Sequence, residues 1–159
     1  MSARIIEANV PIVEGTRYPP PFDLPCRQRH RARLGDAAGL SQFGVNRLRL
    51  PPGCWSSQRH WHGAEDEFVY VLAGEVTLVT NQGEELLRAG DCAGFKAGVA
   101  DGHQLQNRSA RDALVLEIGS RRPGEDAVDY PDIDLQIRKG EGHYSHRDGT
   151  AYDGAAPRR

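Results

Sequence analysis

Two histidines, His60 and His62, stand two residues apart in the segment GCWSSQRHWHGAEDEFVYVLAG (53–74). On an extended strand, residues two apart project from one face, so both imidazoles are offered to the same side. After a four-residue turn, Glu67 opens a run of alternating side chains from which its carboxylate can approach both rings. Downstream, GDCAGFKAGVADGHQLQN (90–107) supplies a third imidazole, His103. Three imidazoles and one carboxylate form a nitrogen/oxygen donor set suited to one divalent transition metal such as manganese, iron, zinc or nickel. If the ion is five- or six-coordinate, one or two positions stay open, and chemistry at a metal needs such an opening for water or a substrate oxygen. Taken singly, HxH reads as a surface pair, Glu67 as an exposed strand residue and His103 as a turn residue. The four together, beside glycines at strand ends, point to a metal.

Other polar residues have two readings each. Glu65 and Asp66 precede Glu67, so either a second acid serves as general base near the metal or both are solvated loop acids. His143 and His146 suggest a further metal pair, against which stands the polar character of their segment. Trp55 and Trp61 suit packing as well as ligand stacking. Cys54 and Cys92 read as small buried residues.

The elements that must position these residues are short. FGVNRLRL (43–50), EFVYVL (67–72), EVTLVT (75–80), 84–88 and ALVLEI (113–118) are β-type runs separated by Gly, Pro and Asn turns, with no helical periodicity between them. The spacing predicts an all-β sandwich or small barrel rather than βαβ units. By alternation Glu67, Val69 and Val71 share one face, and Phe68, Tyr70 and Leu72 the other. Residues 11–25 hold five prolines and predict an extended arm. The following CRQRHRAR (26–33) is basic and reads as a solvated connector or a nucleic-acid-contacting arm, the connector being favoured because no helix-turn-helix pattern accompanies it. This divides the chain into one domain with an arm (1–42), a barrel core (43–118) and a tail (119–159). The tail is too polar for a core of its own; it either folds back over the barrel or reaches a second subunit, and 155–159 is expected to fray.

At 159 residues the chain has room for one domain with extensions. A net charge of −2 excludes a global basic field for nucleic acid or an acidic membrane, although 18 of the 20 basic residues are arginine. The longest apolar run, 68–73, falls far short of a bilayer span of about 20 residues, and the N-terminal residues lack a continuous apolar signal core. Three cysteines, Cys26, Cys54 and Cys92, form neither a disulfide framework nor a CxxC zinc site. These features predict a soluble, cytoplasmic protein with no nucleic-acid or membrane partner.

Gly53, His60, His62, Glu67 and Gly74 resemble the first motif of the cupin superfamily, and Gly90, Gly98, His103 and Asn107 its second. The wider wording is similar to small single-domain bacterial cupins often described as sugar-phosphate isomerases. The resemblance implies a jelly-roll barrel (a double-stranded β-helix), a metal held by His60, His62, Glu67 and His103, and a homodimer. The departures fall in turns: six residues rather than five separate Gly53 from His60, Lys96 replaces the usual proline, and four residues rather than two separate Gly98 from His103. The loop 96–102 is thereby reshaped and brings Asp101 to the mouth of the site, so Glu67, Glu65 and Asp101 are the catalytic candidates.

Three functions compete for this constellation. The first is a metal-dependent isomerase on a small polar substrate such as a sugar or sugar phosphate, its phosphate held by arginines such as Arg47 or Arg49, because no glycine-rich phosphate loop is present. The second is a non-haem iron dioxygenase, and the third a small-molecule-binding cupin without catalysis.

Overall fold

Residues 3–153 are described by a computed structural model, and the alternating runs of the sequence become antiparallel strands in it. In chain order these are β1 (Ile12–Glu14), β2 (His30–Arg33), β3 (Phe43–Leu50), β4 (Trp61–His62), β5 (Glu67–Ala73) and β6 (Glu75–Thr80). They continue with β7 (Gly83–Arg88), β8 (Cys92–Phe95), β9 (Gln104–Gln106), β10 (Ala113–Ser120), β11 (Val128–Tyr130) and β12 (Leu135–Ile137). One large sheet runs β1-β2-β3-β10-β5-β8, a second runs β7-β6-β9, and a third runs β12-β11-β4. Strand β10 sits in the middle of the large sheet, paired with β3 on one side and β5 on the other.

Period-two burial explains why the first two sheets face each other. Val69 and Val71 of β5 are buried while Phe68, Tyr70 and Leu72 are exposed, as alternation predicts. Leu48, Leu50, Val69, Val71 and Val115 of the large sheet pack against Val76, Leu78, Leu87 and Leu105 of the small one. Removing a side chain of this size from water is worth roughly 1.5–3 kcal/mol, so this layer is what closes the jelly-roll barrel. Cys54 belongs to this core, but Cys92 does not: it is exposed on the outer face of β8, opposite Tyr70, and corrects the expectation of a buried thiol.

The arm and the tail differ from their expected character for one shared reason. Cys26 and Ala32 are fully buried, and β2 pairs in register with β3, so 26–33 is neither a solvated connector nor a nucleic-acid arm. The proline-rich stretch before it is extended only over β1, an edge strand, and then turns through Pro19–Phe22. The tail folds back: β11 pairs with β4, placing Val128 opposite His62 and Asp129 opposite Trp61. Val128, Tyr130, Leu135, Ile137 and Tyr144 then bury against Tyr18 and Cys26 in a second cluster, with Trp55 packed beside it. Neither segment is apolar enough alone, and each completes the other's core. The segment 155–159 lies outside the described residues.

The turn from β5 to β6 hinges on Gly74, whose φ is +74°. A Cβ there would also lie 2.7 Å from the Asp112 carbonyl oxygen. Gly74→Ala is therefore expected to lower unfolding free energy by about 2 kcal/mol or more, read as a shifted urea midpoint with an unchanged m-value.

Candidate metal centre

A backbone clasp brings the two sequence-distant histidine segments together. His60 and His103 form an antiparallel bridge in which each donates its N–H to the other's carbonyl, at 3.1 and 2.9 Å. His62 is fixed in β4 by β11 on one side, and its carbonyl accepts Gly98 N–H at 2.9 Å on the other. Glu67, the first residue of β5, pairs with Phe95 of β8 and Gly119 of β10 and so points inward. Its Oε2 lies 3.0 Å from His103 Nε2, 3.6 Å from His62 Nε2 and 3.7 Å from His60 Nε2. Phe95 lies flat on the His103 ring at 3.6 Å, and Tyr130 stacks on His60 at 5.6 Å.

The far side of two rings decides what the near side offers. His60 Nδ1 donates to the Gln58 carbonyl at 2.8 Å, and His62 Nδ1 donates to the Asp126 carboxylate at 2.7 Å. Each acceptor takes the ring's Nδ1 hydrogen, so the Nε2 atoms of His60 and His62 are the nitrogens turned toward Glu67. Burial pushes the His60 pKa down to about 4, which holds that ring neutral. Burial opposes the Glu67 charge, but the contacts from His103 and His60 outweigh it and hold its carboxyl well below the usual range. Three imidazole nitrogens thus gather within 3.7 Å of one buried carboxylate oxygen, a donor cluster of the kind a cation binds. Donors about 2.1 Å from a shared first-row ion lie about 3.0–3.4 Å apart, close to the separations found. His60, His62 and Glu67 therefore converge as a group that could hold one divalent metal, and His103 reaches the same carboxylate at 3.0 Å.

The other anticipated residues are distributed around this point. Glu65 Oε1 accepts Arg122 N–H at 2.8 Å, and its carboxylate clusters with Asp126 and His62. Asp66 turns away to accept Ala97 N–H. Asp101 accepts Asn81 N–H at 2.7 Å and borders a side cavity of about 210 Å³ that also touches His103 and His62. His143 leans on Glu141 and His146 on Asp134, and among the described residues they do not join a metal-type group. Arg47 pairs with Glu7 and Arg49 with Asp112, away from the site, so neither is available to hold a substrate phosphate there. Their β3 neighbours Leu48 and Leu50 take the inner face, which turns these arginines outward.

Asp126 is the residue the sequence left hidden. It lies 64 positions from His62, and no local pattern marks it. Its Oδ1 accepts Ala64 N–H at 2.9 Å while Oδ2 holds His62, so both oxygens serve the HxH segment. The imidazoles and Glu67 open into a cleft of about 1000 Å³, walled by β2, β3, β10 and the folded-back tail.

Comparison with known proteins places this geometry. The cupin domain model matches residues 46–119. A sugar phosphate isomerase of the cupin superfamily from Silicibacter pomeroyi DSS-3 is 38% identical, covers 95% of this chain and 97% of its own, and superposes with a TM-score of 0.87. A protein from Acidithiobacillus ferrooxidans, provisionally named a sugar phosphate isomerase, is 33% identical over 74% of both chains with a TM-score of 0.69. The polyketide cyclase RemF from Streptomyces resistomycificus, 22% identical over 76% of this chain and 80% of its own, shares the fold at a TM-score of 0.61. No curated protein matches the chain.

Carboxylates that orient a metal-binding imidazole typically change metal affinity 10–100-fold. Asp126→Ala should weaken zinc or manganese binding by about that factor while leaving the fold intact, measured by competition with a chromophoric chelator.

Proposed function

The chain belongs to the cupin superfamily, and on that footing we propose that it is a metal-dependent enzyme acting on a sugar or sugar phosphate by isomerase chemistry. The observation that carries this reading is the convergence of three imidazole Nε2 atoms on Glu67 Oε2 at the inner end of an open cleft. A divalent metal held by His60, His62, Glu67 and His103 supplies Lewis acidity that polarises a carbonyl and acidifies an adjacent hydroxyl. Every remaining task falls to the chain. Asp126 and the Gln58 carbonyl keep the Nδ1 protons on His62 and His60, so both rings stay oriented. Tyr130 and Phe95 back the rings with flat apolar surfaces and keep water from behind them. Glu65, at the cleft wall, has one oxygen held by Arg122 N–H; its other oxygen is the group we assign to take the proton from one substrate carbon and return it to the next. The names of the Silicibacter and Acidithiobacillus structures, a sugar phosphate isomerase and one provisionally so named, point to the same substrate class.

The same reading makes the protein a homodimer through the outer face of the large sheet, where Phe68, Tyr70 and Leu72 are 39%, 39% and 45% exposed. A row of this kind on one strand face marks an interaction surface. Sedimentation velocity should give a dimer for the wild type and a folded monomer for Tyr70→Arg; a wild-type monomer at micromolar concentration sinks the assignment.

For the activity, aldose and ketose phosphates incubated with the protein in D₂O should exchange a carbon-bound proton by NMR. His60→Ala/His103→Ala should lose both metal and exchange, whereas Glu65→Gln should keep the metal and lose about 10²-fold or more in exchange rate. Iron-loaded protein that consumes oxygen and leaves sugar phosphates untouched would overturn the isomerase reading.

A further inference from the structure

The stretch Arg29-His30-Arg31-Ala32-Arg33 alternates arginine with other residues, and the structure gives that alternation a direction. Arg31 is the register partner of Leu48 and Arg33 of Asn46. Leu48 faces the barrel core, so both arginines stand on the inner face of the sheet, and Arg29, Arg31 and Arg33 all line the cleft that holds the histidines. Across the sheet from Glu67 come Gly119 and Gly44, the latter covered by the Arg121 side chain, while the neighbouring row carries Glu117 and Asn46 beside Arg33. From β5 across β10 and β3 to β2 is three strand spacings, about 14 Å.

The stripe carries more positive charge than the chain itself neutralises. Arg29 is 7% exposed, and among the described residues no carboxylate pairs with it. Its guanidinium donates only to carbonyls, of Gly15 at 3.2 and 3.1 Å and of Ser56. Arg31 has Glu117 at 3.2 Å, but Glu117 also accepts from Asn46, and Arg31 Nε is buried with no partner. Arg33 reaches Asp36 only at 3.7 Å, and Asp36 is held more closely by Arg121. Arg31, Arg33 and Arg121 thus share two carboxylates, Glu117 and Asp36, and Arg29 pairs with neither. Glu14, the nearest other acid on the arm, leans on His30 instead. The acids Glu65, Asp66, Glu67 and Asp126 gather at the histidine end, while Glu117 and Asp36 are the carboxylates beside the stripe. A buried cation without a counter-ion is costly, and an incoming oxyanion is what relieves it. Arginine's planar fork suits a phosphate, which can take two N–H groups from one guanidinium.

We propose that Arg29, Arg31 and Arg33 form the phosphate subsite of this cleft, holding the phosphate monoester of a small substrate whose other end lies at the histidine–glutamate group. This deepens the metal-dependent reading above and rests on it for the identity of the second end. It replaces Arg47 and Arg49 as phosphate ligands.

The test is binding of inorganic phosphate to the full-length protein at fixed ionic strength, balanced with chloride and followed by calorimetry, in metal-loaded and chelator-treated samples. Saturable binding is expected in both, weakened about tenfold or more by Arg31→Gln and by Arg33→Gln and unchanged by Arg49→Gln on the outer face. Because Arg29 is buried and its loss threatens the fold, the two partly exposed arginines carry the test. Absence of saturable binding, binding indifferent to both substitutions, or binding that disappears on chelation overturns the subsite. Acetate competing as well as phosphate overturns the phosphate assignment in favour of a carboxylate. Metal content is read on the same samples. Stripe-dependent phosphate binding in a protein that takes up no metal leaves the subsite standing and removes the metal-enzyme reading; bound metal without phosphate binding does the reverse.

Discussion

One buried carboxylate oxygen, Glu67 Oε2, meets three imidazole nitrogens, and the arrangement of this chain follows from having to hold them together. Each donor is fixed from behind. His60 is fixed by the Gln58 carbonyl and by its backbone clasp to His103. His62 is fixed by Asp126, and Glu67 by its place between β8 and β10. A flexible loop would relax by turning the rings away. Here the rings are locked by their Nδ1 hydrogen bonds to Gln58 and Asp126 and by Tyr130 and Phe95 stacked on them, so turning one would leave a buried polar group unpaired.

This requirement explains why the tail exists as structure at all. Strand β4 is two residues long and has too few ladder bonds of its own to hold a buried imidazole in place. Strand β11 supplies the missing partner, and the same crossing delivers Asp126 to His62. The tail stays down because Val128, Tyr130, Leu135 and Ile137 bury against Tyr18 and Cys26 from the other end of the chain. Packing at 18–26 is thereby coupled to ligand geometry at 62. The edge-to-face contact of Tyr18 and Tyr130, at 5.6 Å, passes that coupling to the Tyr130 ring stacked on His60.

Gly44 and Gly119 face each other in the large sheet, where the Arg121 side chain and the Asp66 carbonyl approach them closely. The cleft beside them has imidazoles and acids toward Glu67 and the arginines of β2 on its other wall. A substrate with a polarisable carbonyl at one end and an anion at the other matches that distribution of charge.

The sequence by itself determined the barrel and the donor set. Strands β3 and β6 fall on the very residues where the runs of alternating side chains predict them, because period-two burial is written locally in residue type. His60, His62 and Glu67 were legible for the same reason, since two of them share a strand face and the third opens the next strand. Residues whose roles depend on a distant partner were not. Strand β2 reads as polar and basic because its inner face is a cleft wall rather than a core, and only its register with β3 makes it a strand. The apolar residues of the tail are too sparse to predict a core until the arm supplies the other half. Asp126 is one acid among many until β11 lays it beside His62, and Arg47 and Arg49 were plausible phosphate ligands until burial of Leu48 and Leu50 turned them outward. Local chemistry fixes which faces a strand has. Only tertiary pairing decides which of those faces meet, because the free energy that chooses the partner comes from residues far apart in the chain.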